Sequence, residues 1–289
     1  MRNKILVTGT NGQLGFDICN ELKKRNIEYI STDIKDMDIT NKNSVESFIK
    51  THSPDAIIHC AAYTQVDKAE EDIENCYKVN VDGTKNLASV CKNLDIPMMY
   101  FSTDYVFDGK GVEAFKVFDK ASPQSVYGKT KYQGEEVIRE LLKKFFIIRT
   151  SWVFGVNGHN FVETMIKLSQ NHNEIKVVND QIGSPTYTFD LAKLSVDMIL
   201  TEKYGIFHAT NEGFCSWADF AKEIFKIKKI NTKVIPVSTE EYGLSKAKRP
   251  KNSRLDKSTL TINGFELLPA WEDALKRYIK EKEERNKNN

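Results

Sequence analysis

Lys4-Ile5-Leu6-Val7-Thr8-Gly9-Thr10-Asn11-Gly12-Gln13-Leu14-Gly15 decides the fold. Its first five residues form a short apolar run of strand type, and Phe16-Asp17-Ile18-Cys19-Asn20-Glu21-Leu22 follows with helical spacing. Between strand and helix the glycines stand at 9, 12 and 15. A glycine turn in that place lets backbone N–H groups approach a pyrophosphate, and the helix dipole favours the negative charge. The spacing G-x-x-G-x-x-G departs from G-x-G-x-x-G. What separates dinucleotide binding from a mere tight turn is therefore its position directly after the first strand.

Working outward, Glu28-Tyr29-Ile30-Ser31-Thr32 reads as a second strand ending at Asp33, where a carboxylate would accept hydrogen bonds from an adenosine ribose. That favours NADH. Lys35 lies two residues on and could instead meet a 2′-phosphate, so NADPH stays open. Asp38-Ile39-Thr40 either flanks the adenine, with Asp38 accepting from its amino group, or leads into a helix N-cap between residues 40 and 43. Residues 55–62 form a buried-type strand ending in Ala61 and Ala62, whose small side chains leave room for a flat cofactor. Residues 97–102 form another, delivering Ser102-Thr103-Asp104 at the carboxyl end, where open parallel sheets bind ligands. The alternation runs on to Phe145-Phe146-Ile147-Ile148-Arg149 and predicts an α/β fold, a doubly wound parallel sheet over residues 1–150 that holds NAD(P). Beyond Thr150 the rhythm changes. Phe154-Gly155-Val156-Asn157-Gly158-His159-Asn160 is loop-like, residues 161–169 have helical character, and residues 176–186 give a short strand and turn. Residues 151–289 are expected to form mainly a smaller C-terminal substrate-binding lobe, with a helix near 186–203 packing back on the first domain.

Tyr127 precedes Lys131 by four residues, which puts both on one face of a helix, some two dozen residues after Ser102-Thr103-Asp104. A Ser/Thr, a Tyr and a Lys in this order can move protons without a histidine or a metal. A free tyrosine, with a reference pKa of about 10, is a sluggish acid or base at neutral pH. A nearby cation is expected to favour the phenolate and bring it toward the working range.

The 289 residues suffice for one large domain or two lobes sharing a cleft. A composition 40% hydrophobic and 28% charged is ordinary for a globular protein, and a net charge of +2 gives no ground for a nucleic-acid or membrane partner. The cysteines at 19, 60, 76, 91 and 215 are odd in number and lack a C-x-x-C, so they read as reduced cytosolic thiols. The apolar run after Met1 is too short for a signal peptide or a membrane span. A cytoplasmic protein is expected. The five histidines show no H-E-x-x-H or close pairing, so no metal site is expected. The charged stretch at 280–289 reads as a frayed helix.

Residues 9–15, Ala61-Ala62, Ser102-Thr103 and the pair Tyr127 and Lys131 together resemble the extended short-chain dehydrogenase/reductase superfamily. Further stretches resemble one branch of it, the dTDP-4-dehydrorhamnose reductases: Gly12-Gln13-Leu14-Gly15, Ala62-Tyr63-Thr64-Gln65-Val66-Asp67-Lys68-Ala69-Glu70, and residues 102–109. Residues 149–155, 180–186 and 249–256 match as well, so the similarity covers nearly the whole chain. The resemblance implies a Rossmann-like first domain and an oxidoreductase of dTDP-rhamnose biosynthesis, which supplies cell-wall polysaccharide. NADPH is the family's usual cofactor. The implied reaction reduces the 4-keto group of dTDP-6-deoxy-L-lyxo-4-hexulose to dTDP-L-rhamnose. By the same resemblance Tyr127 donates the proton, Lys131 holds the nicotinamide ribose and lowers the tyrosine pKa, and Thr103 hydrogen-bonds the keto oxygen. Gly9, Gly12, Gln13, Leu14, Gly15, Asp33, Asp38, Ile39, Ala61, Ala62, Tyr63 and Ser102 then belong to the cofactor site.

Thr64, Val66, Tyr105 and Trp152 are implied to line the sugar pocket, although Trp152 reads equally as core. Nucleotide-sugar 4,6-dehydratases carry Asp-Glu where this chain has Asp104-Tyr105, which argues against dehydration. Arg249 or Arg254, in a basic segment, would neutralise the dTDP pyrophosphate, or else lie in a solvated loop. Some relatives dimerise through magnesium. Asp17 fits that role, but Phe189 stands where they have a carboxylate, so either a monomer or a homodimer is expected. Two alternatives remain: another NDP-sugar reductase or epimerase, and a non-catalytic regulatory subunit, since the β subunit of methionine adenosyltransferase resembles the same branch.

Overall fold

Ile5 and Val7 pack into one hydrophobic cluster with Ile18, Leu22, Leu191 and Val196, whereas Leu6 packs into another with Val45, Ile49, Leu87 and Ile138. The alternation of a strand thus sends successive apolar side chains to opposite faces of a sheet that is covered on both. Burying one such side chain contributes about 1.5–3 kcal/mol, so a short run with no polar interruption suffices to commit the strand to the interior. The computed structural model describes residues 4–288. Residues 1–3 and 289, part of the expected chain start and charged terminus, lie outside the described residues.

Six parallel strands make the central sheet, in the spatial order Gly205–His208, Phe145–Thr150, Met98–Thr103, Ala56–His59, Lys4–Thr8, Glu28–Thr32. From Lys4–Thr8 the chain first winds toward Glu28–Thr32 and then back toward Ala56–His59. The strand order reverses beside Thr8, and sheets of this kind leave a crevice at that point. Gly12 precedes the helix Gln13–Lys24, Asn41 caps Lys42–His52 through the Ser44 amide, and Ser125 caps Val126–Leu141 through the Gly128 amide.

Beyond Thr150 the helices Phe161–Ser169, Trp217–Lys228 and Trp271–Asn288 surround a second core built on Phe154, Tyr187, Phe220, Trp271 and Tyr278. A parallel strand pair, Glu174–Val178 with Lys233–Val237, edges it. Two elements from this half return to the sheet. The helix Thr188–Ile199 packs on Gln13–Lys24, tied by Arg25 to Asp197 at 2.5 Å. Gly205–His208 pairs with Phe145–Thr150 as the sixth strand. A four-residue strand leaves little periodicity in a sequence, which is why residues 205–208 read with the second lobe. No helix among the described residues is long and apolar enough to cross a membrane.

Candidate active site

A cleft of about 920 Å³ lies over the carboxyl ends of the strands. Gly9, Gly12, Gln13, Leu14, Gly15, Asp33, Asp38, Ile39, Ala61, Ala62, Tyr63 and Ser102 all line it, and so do Thr103, Tyr127 and Lys131. Thr64, Val66, Tyr105 and Trp152 line it too. Arg249 and Arg254 are not among its lining residues.

The glycine turn is closed by backbone approach. Gly9 has φ +67°, and a Cβ there would sit 2.7 Å from the Ala61 backbone; one on Gly15 would collide with the Gly9 carbonyl oxygen. Only glycine brings the first and third strand ends and the helix start this close. Asp33 is fixed by its neighbours: its carboxylate accepts from the Asn11 amide at 3.0 Å and the Ile34 amide at 2.8 Å. Asp38 lines the cleft while its Oδ1 accepts from the Thr40 amide and hydroxyl, and the helix cap falls to Asn41.

Thr103, at the end of its strand, is buried; its Oγ1 donates to Asp104 Oδ1 at 3.0 Å and accepts from the Tyr105 amide at 3.2 Å. The Thr103 side chain neighbours the Tyr127 phenol and works against the upward push on its pKa. Lys131 is 3% exposed, and its Nζ stands 3.9 Å over the Tyr100 ring. Tyr127 and Tyr105 meet edge to face at 5.6 Å. The expected pKa pattern needs correction. Burial, followed by the negative Asp104, pushes the Tyr127 phenol well up, and burial brings Lys131 down to about 7 despite Glu135. Burial also lifts Asp104 to about 6. At neutral pH the site therefore holds a tyrosine that keeps its proton, so it suits a proton donor rather than a base.

Trp152 stacks on Trp217, with centroids 3.7 Å apart and planes at 13°, and both rings line the cleft. Sequence reasoning missed Trp217. The pattern Ser216-Trp217-Ala218-Asp219 is a capping box that marks a helix start, but nothing local points its tryptophan at a distant partner. Gly158 and His159, also lining, were read only as loop. Arg249 lies behind Tyr105: Nη1 donates to the Tyr105 hydroxyl at 3.3 Å, Nη2 to Asp67 at 2.6 Å and Nε to Ser245 at 2.8 Å. Arg254 donates to Asn252 at 3.0 Å, beside the Phe214 ring. Asp17 is buried and accepts from the Thr188 hydroxyl, while Phe189 is partly exposed.

Two hydroxyls on the cleft wall, Ser102 Oγ and Thr150 Oγ1, are buried with no hydrogen-bond partner among the described residues. A buried polar atom left so is costly, and a ligand with polar groups would relieve both. The glycine turn, the fixed Asp33 and these hydroxyls fit a dinucleotide.

The family model described as the RmlD substrate binding domain matches residues 2–284. The chain belongs to this family. The RmlD-family chain is 41% identical to the spore coat polysaccharide biosynthesis protein SpsK of Bacillus subtilis, covering 96% of this chain and 98% of the relative. It is similar to the crystal structure of a dTDP-4-dehydrorhamnose reductase from Clostridium acetobutylicum, at 46% identity and TM-score 0.94, covering 97% of this chain and 99% of that one. A dTDP-4-dehydrorhamnose reductase from Bacillus anthracis, solved in complex with NADP, matches at 43% identity and TM-score 0.94, over 97% of this chain and 100% of that one.

Proposed function

We propose that this RmlD-family protein is a dTDP-4-dehydrorhamnose reductase, reducing the 4-keto group of dTDP-6-deoxy-L-lyxo-4-hexulose to dTDP-L-rhamnose in the cytoplasm, as a monomer or homodimer. The observation that carries the reading is the convergence of Thr103, Tyr127 and Lys131 in one cleft, between the glycine turn and the Trp152–Trp217 stack. Family membership and the two solved reductases add to it.

A bound reduced nicotinamide supplies the hydride. The chain supplies the rest. The glycine turn and the N-terminus of Gln13–Lys24 receive the pyrophosphate, Ala61 and Ala62 leave space beside it, and Asp33 accepts from the adenosine ribose. Lys131, cationic below about 7, holds the nicotinamide ribose. Tyr127 keeps its proton until negative charge develops on the sugar oxygen and then donates it there, while Thr103, whenever its hydroxyl is released from Asp104, hydrogen-bonds the same oxygen. Thr64, Val66, Tyr105 and Trp152 enclose the sugar, and Trp217 extends that wall. Arg249 acts through Tyr105, whose hydroxyl it holds.

A carboxylate at Asp33 favours NADH, while Lys35 and the NADP bound to the related reductase favour NADPH, so the two cofactors are compared directly. Nicotinamide absorbance followed with each cofactor and the 4-keto sugar, with product identified, tests both points. Net oxidation with dTDP-L-rhamnose formed supports the reading. A sugar isomer without net oxidation would make the protein an epimerase, and silence from protein that binds the dinucleotide would favour a regulatory subunit.

A further inference from the structure

Asp104 is 2% exposed and wedged between the two halves of the molecule. Its Oδ2 accepts from the Ser253 hydroxyl at 2.5 Å, and its Oδ1 meets Thr103 Oγ1 at 3.0 Å. Thr103 has one hydroxyl proton and two lone pairs, and the Tyr105 amide occupies one lone pair. An ionised Asp104 can only accept, so it captures the single Thr103 proton. Thr103 then has no proton to offer a substrate. With a proton on Oδ1 the carboxyl donates instead. Both Thr103 lone pairs are then filled and its own proton turns into the cleft, beside the Tyr127 phenol. Ser253, by donating to Oδ2, leaves Oδ1 as the oxygen to be protonated.

We propose that Asp104 is a positioning residue whose carboxyl decides whether the Thr103 hydroxyl donates back into the protein or out to the substrate ketone. The proposal rests on the ketone-reduction reading above. The titratable groups that act with Asp104 are the phenols of Tyr127, from the helix Val126–Leu141, and of Tyr105, from its own turn; Arg249 and Asp67 lie beyond the Tyr105 hydroxyl. Burial raises the Asp104 carboxyl to about 6 while the Ser253 hydrogen bond lowers it. The two-donor arrangement is therefore present below about 6 and is lost as pH rises through it.

The test is kcat against pH, from 5 to 8.5, for the wild type, Asp104→Asn and Ser253→Ala, with melting temperature and dinucleotide binding measured on each. Withdrawal of one hydrogen-bond donor to a developing oxyanion lowers rate by up to about 10²- to 10³-fold. The wild type is expected to lose about tenfold or more across an inflection near 6, with a separate fall near 7 where Lys131 loses its charge. In Asp104→Asn the amide donates to Thr103 at every pH, so the lower inflection disappears and the upper one stays. Ser253→Ala, without its lowering hydrogen bond, moves the lower inflection upward. A wild-type-shaped profile in Asp104→Asn, merely scaled down, or an unmoved inflection in Ser253→Ala, would overturn the proposal. Absence of any reduction by the wild type would instead overturn the reading on which it rests.

Discussion

Tyr127 keeps its proton at neutral pH because burial and the Asp104 charge both disfavour a phenolate, and in a reduction the sugar oxygen supplies the charge that draws the proton off. Tyr127→Phe removes that proton and nothing else that fixes the cleft. Its kcat is expected to fall by about 10²- to 10⁴-fold with dinucleotide affinity within a few fold of wild type, as read by single-turnover rates and fluorescence titration. Near-normal turnover would remove Tyr127 from the chemistry. The spacing of Tyr127 and Lys131 was legible in the sequence because a helix places residues four apart on one face. The direction of the tyrosine pKa was not. It depends on how deeply the ring is buried and on Asp104 beside it, and neither follows from spacing.

Strands and caps were legible at the scale of elements, since apolar runs such as residues 4–8 and 145–149 and the glycines at 9, 12 and 15 act locally. Partners distant in sequence were not. Trp217 opens its helix through the Ser216–Asp219 capping box and meets Trp152, which holds a left-handed φ of 49°. Aromatic stacking of this kind adds about 0.5–1.5 kcal/mol beyond area burial. Trp217→Ala is accordingly expected to raise the KM for the keto sugar about 2- to 10-fold with kcat nearly unchanged. An unchanged KM in steady-state kinetics would place Trp217 outside the sugar wall. Arg249 teaches the same lesson in reverse: its charge suggested a pyrophosphate, while Asp67 and Tyr105, from an earlier stretch of chain, already engage its guanidinium.

The two halves of the molecule are held together by chain that crosses between them. Arg277, on the C-terminal helix, makes a two-pronged pair with Asp190 at 2.8 and 2.6 Å, and Asn211 donates to the same carboxylate at 2.9 Å. Asp190 is 6% exposed, so Arg277→Ala leaves a buried carboxylate with one neutral donor. A loss of about 3 kcal/mol of unfolding free energy is expected by denaturant titration, and a loss within experimental scatter would mean that the pair does not clamp the C-terminal helix to Thr188–Ile199, the helix that packs on Gln13–Lys24. The change of rhythm after Thr150 suggested a second lobe, while the return of Gly205–His208 to the sheet depends on strand pairing that a four-residue run does not announce. The cleft between these parts is proposed to carry hydride to C4 of a dTDP-4-keto sugar. The most direct measurement gives the protein that sugar with reduced nicotinamide deuterated at the transferable C4 position, and locates the label in the product by NMR. The account predicts deuterium at sugar C4 in dTDP-L-rhamnose, matched one for one by cofactor oxidised; label at another carbon, or conversion of the sugar without net oxidation, would contradict it.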